Sequence, residues 1–346
     1  MWFYYAIYFL LVTAFLVSLK YEIQKYIYVA CLLILFVISG FRPATCCADY
    51  LNYVDYFNDI DNRSVIQIEP TFFLISKIAL YFFNSSTGVF IIYAFLGVLL
   101  KGLAFKKLSN FYLLSLIIYS ATYFLLHEMT QIRVGIASSI LLLAVPSIYE
   151  RKSSKFLLLL ILGTMFHYSF LIFGLFYFLN PDKIKSFSYV FLILSGYIAY
   201  LLGINVVSVL GAIPIEFISG KILAYNTLLE NGVDTKINVF NVLMLFRLGF
   251  LAILLWKQDY LSEKNKYSIL LIKIYAFSLF FFVFFAPLPV FAFRIRELTG
   301  IVEVILIPFF VYLFKEKYVG FAVIIVLGLI FMSIDIWYNK MISTYF

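Results

Sequence analysis

Apolar windows of about 17 to 25 residues recur from one end of this 346-residue chain to the other, separated by short polar links. Each is long enough to cross a hydrocarbon core of roughly 30 Å as a helix, the form in which a lipid-embedded segment satisfies its own backbone. The composition leaves no room for a soluble core: 64% of residues are hydrophobic, 21% aromatic and 13% charged, and the mean hydropathy is +1.03. We expect an all-α, polytopic membrane protein forming a single transmembrane domain over 1–346. Residues 1–19 lack a basic leading region and a small-residue cleavage site, so they read as a retained first span.

The hydrophobic pattern predicts spans at 2–19, 26–40, 87–104, 111–127, 131–149, 187–209, 236–256, 267–285, 292–313 and 318–338. Residues 70–83 are apolar but short, open at Glu69-Pro70 and carry Lys77, which suits an interfacial or re-entrant helix. Residues 155–180 are long for one span and hold His167 in mid-run, as one helix or as a tight pair turning at His167.

Charge placement chooses between these readings. Six basic links, at Lys20/Lys25, Lys101/Lys106/Lys107, Arg151/Lys152/Lys155, Lys183/Lys185, Lys257/Lys264/Lys266 and Lys315/Lys317, belong on the cytoplasmic side. They alternate correctly only if 70–83 does not cross and 155–180 crosses twice, which gives about 12 spans. The outer loops then fall at about 41–86 and 210–235 and are acidic, and both termini face outward. The net charge of +8 is thereby spent on orientation, and no nucleic-acid partner is expected. Cys31, Cys46 and Cys47 build no disulfide framework, and adjacent cysteines are poorly placed to bridge. No repeat of fixed period supports an inverted-repeat transporter.

Of seven arginines, Arg42, Arg133, Arg294 and Arg296 fall at the outer interface, where orientation disfavours them. A guanidinium presents a planar fork that matches phosphate oxygens in pairs, so arginines converging on the outer face point to a lipid-linked phosphate or pyrophosphate. Arg133 could instead snorkel or pair with Glu128, and Arg294 and Arg296 point to different helix faces. Arg247, mid-span in LMLFRLGF, faces the bundle interior as a substrate contact or a structural pair. His127, Glu128, Gln131 and Glu297 complete the polar set on the outer turns.

In DYLNYVDYF, Asp49 stands beside Tyr50 and Tyr53, whose rings suit a sugar face or an interfacial aromatic belt. His167 reads as a base that accepts a proton from a sugar hydroxyl near neutral pH, or as a plain interfacial histidine; Asp49 would orient the imidazole or hold the acceptor sugar, and Glu69 is a further catalytic carboxylate. No metal-ligand or calcium-loop spacing occurs, so neither metal nor cofactor is expected.

Four ordered blocks, GFRPATCCADYLNYVDYF (40–57), EPTFFLISKIAL (69–80), HEMTQIRVGIA (127–137) and FHYSFL (166–171), resemble the EpsG family of bacterial polysaccharide polymerases, the Wzy-like O-antigen and capsule polymerases. A looser match continues at Phe293–Glu297. The resemblance implies transfer of a growing glycan from undecaprenyl pyrophosphate to another lipid-linked repeat unit at the periplasmic face of the inner membrane. It also implies a GT-C-like bundle with lipid grooves and a periplasmic cavity, arginines neutralising the leaving pyrophosphate, and a chain-length regulator as partner. A lipid-linked oligosaccharide flippase or exporter and an O-antigen ligase are the alternative functions; the flippase needs access from both leaflets, whereas the polar set here is one-sided apart from Arg247 and Lys273.

Overall fold

The computed structural model describes every residue except 22, 45, 48, 62–67, 205–236 and 343–346, so the outer loop expected at 210–235 lies outside the described residues. All described elements are helical. In chain order they are α1 (Trp2–Lys20), α2 (Gln24–Gly40), α3 (Tyr50–Asn58), α4 (Pro70–Phe83), α5 (Thr87–Leu108), α6 (Tyr112–Ala121), a π-helical turn (Phe124–Thr130), α7 (Ile132–Tyr149), α8 (Ser153–Phe166), a 3-10 segment (Tyr168–Phe178) and α9 (Ser186–Leu201). There follow α10 (Val242–Trp256), α11 (Gln258–Lys264), α12 (Ser268–Phe284), α13 (Pro289–Gly300), α14 (Glu303–Leu306), a second 3-10 segment (Ile307–Leu313), α15 (Lys317–Ser333) and a last π-helical turn (Ile334–Tyr338).

Among the described residues, four helices are long and apolar enough to cross a membrane: α1, α5, α7 and α15, the last continued to Tyr338. The pair formed by α6 and the π-helical turn after it is a fifth, bent by 66°. Seven further apolar helices have 10–17 residues. The chain divides into two compact units, 1–177 with 303–346, and 178–302.

In the first unit α5 packs against α2, α4 and α7, while α1 and α15 pack on α6. Helices α2 and α5 run antiparallel, since Tyr28 Oη donates to the Gly102 carbonyl at 2.8 Å and Gly40 lies against Ile91 and Ala94. The 17 residues of α2 span about 25 Å. One end of this pair therefore carries Lys106 and Lys107 beside Gln24, and the other carries Arg42 beside Phe90.

The stretch 155–180 is a hairpin. Helix α8 ends at Phe166, and His167 leaves it in extended backbone at φ −155° and ψ 118°. Its arms run side by side: Phe156 and Tyr177 have ring centroids 4.9 Å apart, and Arg151 Nη1 donates to the Tyr177 carbonyl at 2.5 Å. Near the tip the Phe170 ring lies on Gly163, where a Cβ would come within 2.4 Å of it. Glycine is required there because the ring occupies the volume of the missing side chain. Of the two readings of this stretch, the tight pair turning at His167 is the one that forms.

Three expectations need correction. Lys101, assigned to a basic cytoplasmic link, is fully buried inside α5. The span expected at 292–313 is not one helix: α13 begins at Pro289 and ends at Gly300, and Pro308 lies in the 3-10 segment after α14, where it has no amide hydrogen to continue an α-helical ladder. The outer loop at 41–86 is itself largely helical, holding α3 and α4.

In the second unit α12 packs against α9, α10, α11 and α13. Lys273, on α12, donates to the carbonyls of Asn180 and Lys183 at 2.6 Å each, so the buried ammonium closes the link that precedes α9.

Candidate functional site

Glu69 occupies the N-cap of α4, and Pro70 at the first helical position presets the backbone for the helix. The Glu69 carbonyl accepts from Phe72 N at 2.9 Å, which starts the helix and leaves the carboxylate beside its positive end. Thr71 Oγ1 donates to the Met165 carbonyl at 2.8 Å, fixing the start of α4 to the tip of the hairpin. That attachment brings His167 to Glu69.

The carboxylate of Glu69 is almost fully buried and is shared. Oε2 accepts from Arg133 Nη1, and Oε1 lies 3.1 Å from His167 Nδ1. Burial opposes ionisation of Glu69, but the hydrogen bond from His167 and the charge of Arg133 outweigh it and hold the carboxyl down at about 2. With a carboxylate on Nδ1, the imidazole carries its proton there and presents a basic lone pair at Nε2.

The Arg133 guanidinium also lies over three rings, 5.5 Å from Tyr53, 5.7 Å from Tyr56 and 5.9 Å from Phe72. Both tyrosines come from α3, which turns the loop aromatics into one wall of the site. Tyr53 continues towards Phe90, 6.3 Å away, which stacks on Tyr50 at 4.5 Å and 16°. Arg42 sits over the same Phe90, 4.7 Å from its centroid. The aromatic cluster thus holds a guanidinium at either side.

Arg42 is buried and donates through Nη1 to the Met129 carbonyl at 2.7 Å, while its Nε and Nη2 are buried and make no hydrogen bond among the described residues. Burial works against the Arg42 charge, and the sulfurs of Cys47 and Cys46 work for it. Cys47 Sγ donates to the same Met129 carbonyl at 2.7 Å, and Cys46 and Cys47 are free thiols with sulfurs 3.0 Å apart. Asp49 is the N-cap of α3, close enough to Tyr53 and Cys47 to act on their ionisation.

His127 and Glu128 lie in the π-helical turn and are fully buried. Glu128 Oε1 accepts from Lys101 Nζ at 2.5 Å and from Tyr119 Oη at 2.8 Å, and Lys101 Nζ also donates to the Gly135 carbonyl at 2.7 Å. Gly97 makes this approach possible, because a Cβ there would stand 2.2 Å from Glu128 Oε2. His127 Nδ1 is 3.1 Å from Ser138 Oγ. Gln131 caps α7, its carbonyl accepting from Gly135 N at 2.9 Å.

The structure therefore brings Arg42, Asp49, Tyr50, Tyr53, Glu69, Arg133 and His167 together, with His127, Glu128 and Gln131 on the turn that leads to Arg133. Arg133 pairs with Glu69 and not with Glu128, and the carboxylate on the His167 ring is Glu69. The half-buried Arg247, Arg294 and Arg296 and the buried Glu297 belong to the second unit. There Tyr275 Oη donates to the Arg247 carbonyl at 3.4 Å and Ser278 Oγ to the Arg296 carbonyl at 3.1 Å. Sequence reasoning missed Lys101, Tyr119, Phe72 and Phe90 as parts of these networks. The available signal was Gly97-x-x-x-Lys101, a small residue one turn before a lysine inside an apolar window.

The described residues form an all-helical, multi-pass membrane protein whose first unit holds a buried acid–imidazole–guanidinium cluster at the end opposite Lys106 and Lys107. The chain belongs to the EpsG family, whose model matches residues 25–345. It is also similar to the amylovoran biosynthesis protein AmsC of Erwinia amylovora, 26% identical over 207 residues. That match covers 56% of this chain and 50% of AmsC, so the chain spans about half the length of that relative. No solved structure matches.

Proposed function

We propose that this protein is a polysaccharide polymerase of the Wzy type, a glycosyltransferase that uses a lipid-pyrophosphate-linked donor. The observation that carries the reading is the sharing of one buried carboxylate, Glu69, between an imidazole and a guanidinium. In this reaction the acceptor sugar hydroxyl gives its proton to His167 Nε2 as its oxygen attacks the anomeric carbon of the donor. The bond from that carbon to the pyrophosphate oxygen breaks, and undecaprenyl pyrophosphate leaves with the electron pair. Glu69 keeps the Nδ1 proton in place and stabilises the imidazolium that forms, a division of labour that needs no metal.

Arg42 and Arg133 are the groups that neutralise the pyrophosphate in the first unit. The two buried donors of Arg42 that make no hydrogen bond among the described residues support this role, because such groups are costly unless a ligand accepts from them. Arg247, Arg294, Arg296 and Glu297, in the second unit, keep their assignment as substrate-binding residues. Tyr50 offers its ring edge to sugar, the buried Tyr53 backs the Arg133 guanidinium, Asp49 holds acceptor hydroxyls, and His127, Glu128 and Gln131 shape the turn that carries Arg133. Family membership supports a role in polysaccharide synthesis, and the name of AmsC agrees with it.

The further layout we propose is about 12 spans in a GT-C-like transmembrane domain of the bacterial inner membrane, with the site facing the periplasm, lipid-linked oligosaccharides as donor and acceptor, and a chain-length regulator as partner. A deletion strain tests the activity. Single repeat units attached to the final acceptor are the expected phenotype, whereas complete loss of attached glycan would indicate a ligase and substrate stranded inside the cell a flippase.

A further inference from the structure

At the end of the first unit away from Glu69 lies a cavity of about 360 Å³. Its floor is aromatic: Phe15 of α1 and Phe321 of α15 meet edge to face at 5.2 Å, and both are buried. Its rim is polar, formed by Gln24 at the start of α2, Asn110 and Tyr112 at the start of α6, and Lys317 at the start of α15. The lining holds one cation and no carboxylate. In the sequence beside it stand Lys20, Lys25, Lys106, Lys107 and Lys315, against Glu316 and the undescribed Glu22.

We propose that this cavity binds the headgroup of an anionic glycerophospholipid from the cytoplasmic leaflet, on the reading that the lysine-rich ends face the cytoplasm. The occupant must be amphiphilic, because the polar rim opens over edge-to-face rings that only an apolar chain covers without leaving polar groups unpaired. It must be anionic, because five neighbouring lysines in addition to Lys317 raise the local potential where the cytoplasmic leaflet carries its negative lipids. A volume of about 360 Å³ is that of a small-ligand pocket and fits a phosphodiester with its glycerol. The site is separate from the proposed polymerase chemistry, lying about one length of α2 away from Arg42.

The test is native mass spectrometry of the purified protein after exchange into equimolar phosphatidylglycerol and phosphatidylcholine. The wild type should retain phosphatidylglycerol in preference, and Lys317→Ala, at an exposed position, should lower that retention about five-fold, the effect of one lysine near an anionic surface. Lys317→Arg should keep it, as should Lys264→Ala in the second unit. Equal retention of the two lipids, an unchanged Lys317→Ala protein, or displacement of the lipid by inorganic phosphate alone would overturn the proposal, the last by showing a site for free phosphate.

Discussion

His167 Nδ1 lies 3.1 Å from Glu69 Oε1 across 98 residues of sequence, and the two are joined because Thr71 fastens the start of α4 to the carbonyl of Met165 at the hairpin tip. The imidazole proposed as the base and the carboxylate beside it are thus held by helix ends, and Arg133 occupies the other oxygen of the same carboxylate.

Replacing Glu69 should therefore disturb two partners at once. Glu69→Gln keeps the shape but removes the charge that fixes the imidazole and answers Arg133. We expect polymer synthesis by membranes containing this variant to fall by about 10²- to 10⁴-fold, the usual contribution of a positioned acid–base group. Substantial high-molecular-weight polymer from Glu69→Gln at normal expression would remove the carboxylate from the chemistry.

Acid should destabilise the protein through the same group. The Glu69 carboxyl is held at about 2, against 4.5 when exposed, because the His167 hydrogen bond and the Arg133 charge outweigh burial. A depressed folded value stabilises the fold above the unfolded value, so this contribution is present above pH 4.5 and is lost as the pH falls towards 2. It amounts to about 3 kcal/mol by linkage. Thermal melts in detergent between pH 7 and 3 should show a steeper acid loss for the wild type than for Glu69→Gln. Parallel curves would contradict the assignment.

Much of this was legible in the sequence, for identifiable reasons. The lysines flanking 155–180 force an even number of passes, and only a turn near His167 gives that, so the hairpin follows from charge placement. Glu69 before Pro70 announces a helix start in the residues alone. The pairing of Glu69 with His167 was hidden because it depends on α4 packing beside α8, which no local pattern encodes; Asp49, near the other conspicuous charges, was the natural partner to choose. Lys101 was misplaced because it precedes Lys106 and Lys107 and looks like part of their basic run, whereas its ammonium is neutralised by Glu128, 27 residues on. Pro308 accounts for the change to 3-10 geometry after α14, whereas the end of α13 at Gly300 has no local signal beyond that glycine.

Gly97→Ala offers a test with an unexpected sign. In an exposed helix interior, alanine stabilises relative to glycine by about 1 kcal/mol. Here the new methyl would stand 2.2 Å from Glu128 Oε2 and displace the carboxylate whose Oε1 accepts from Lys101. A loss of about 1–3 kcal/mol, the common cost of overpacking, should appear as a lower unfolding temperature. Increased stability would show that the buried ion pair is not packed as described.

The one-sided arrangement of charge can be read by labelling single cysteines in intact cells with a membrane-impermeant thiol reagent, in a background lacking the native cysteines. Asp59→Cys should react from outside, and Lys106→Cys and Lys152→Cys should react only after permeabilisation. External labelling of Lys152→Cys would place the open end of the hairpin on the wrong side and with it the proposed site.

The central claim is that His167, oriented by Glu69, accepts the proton of the attacking hydroxyl, and its most direct test is the elongation rate of the purified enzyme on lipid-linked repeat units. His167→Ala should insert and purify like the wild type and elongate about 10²- to 10⁴-fold more slowly. Elongation by His167→Ala at a near wild-type rate would contradict the account and leave the proton transfer to another group.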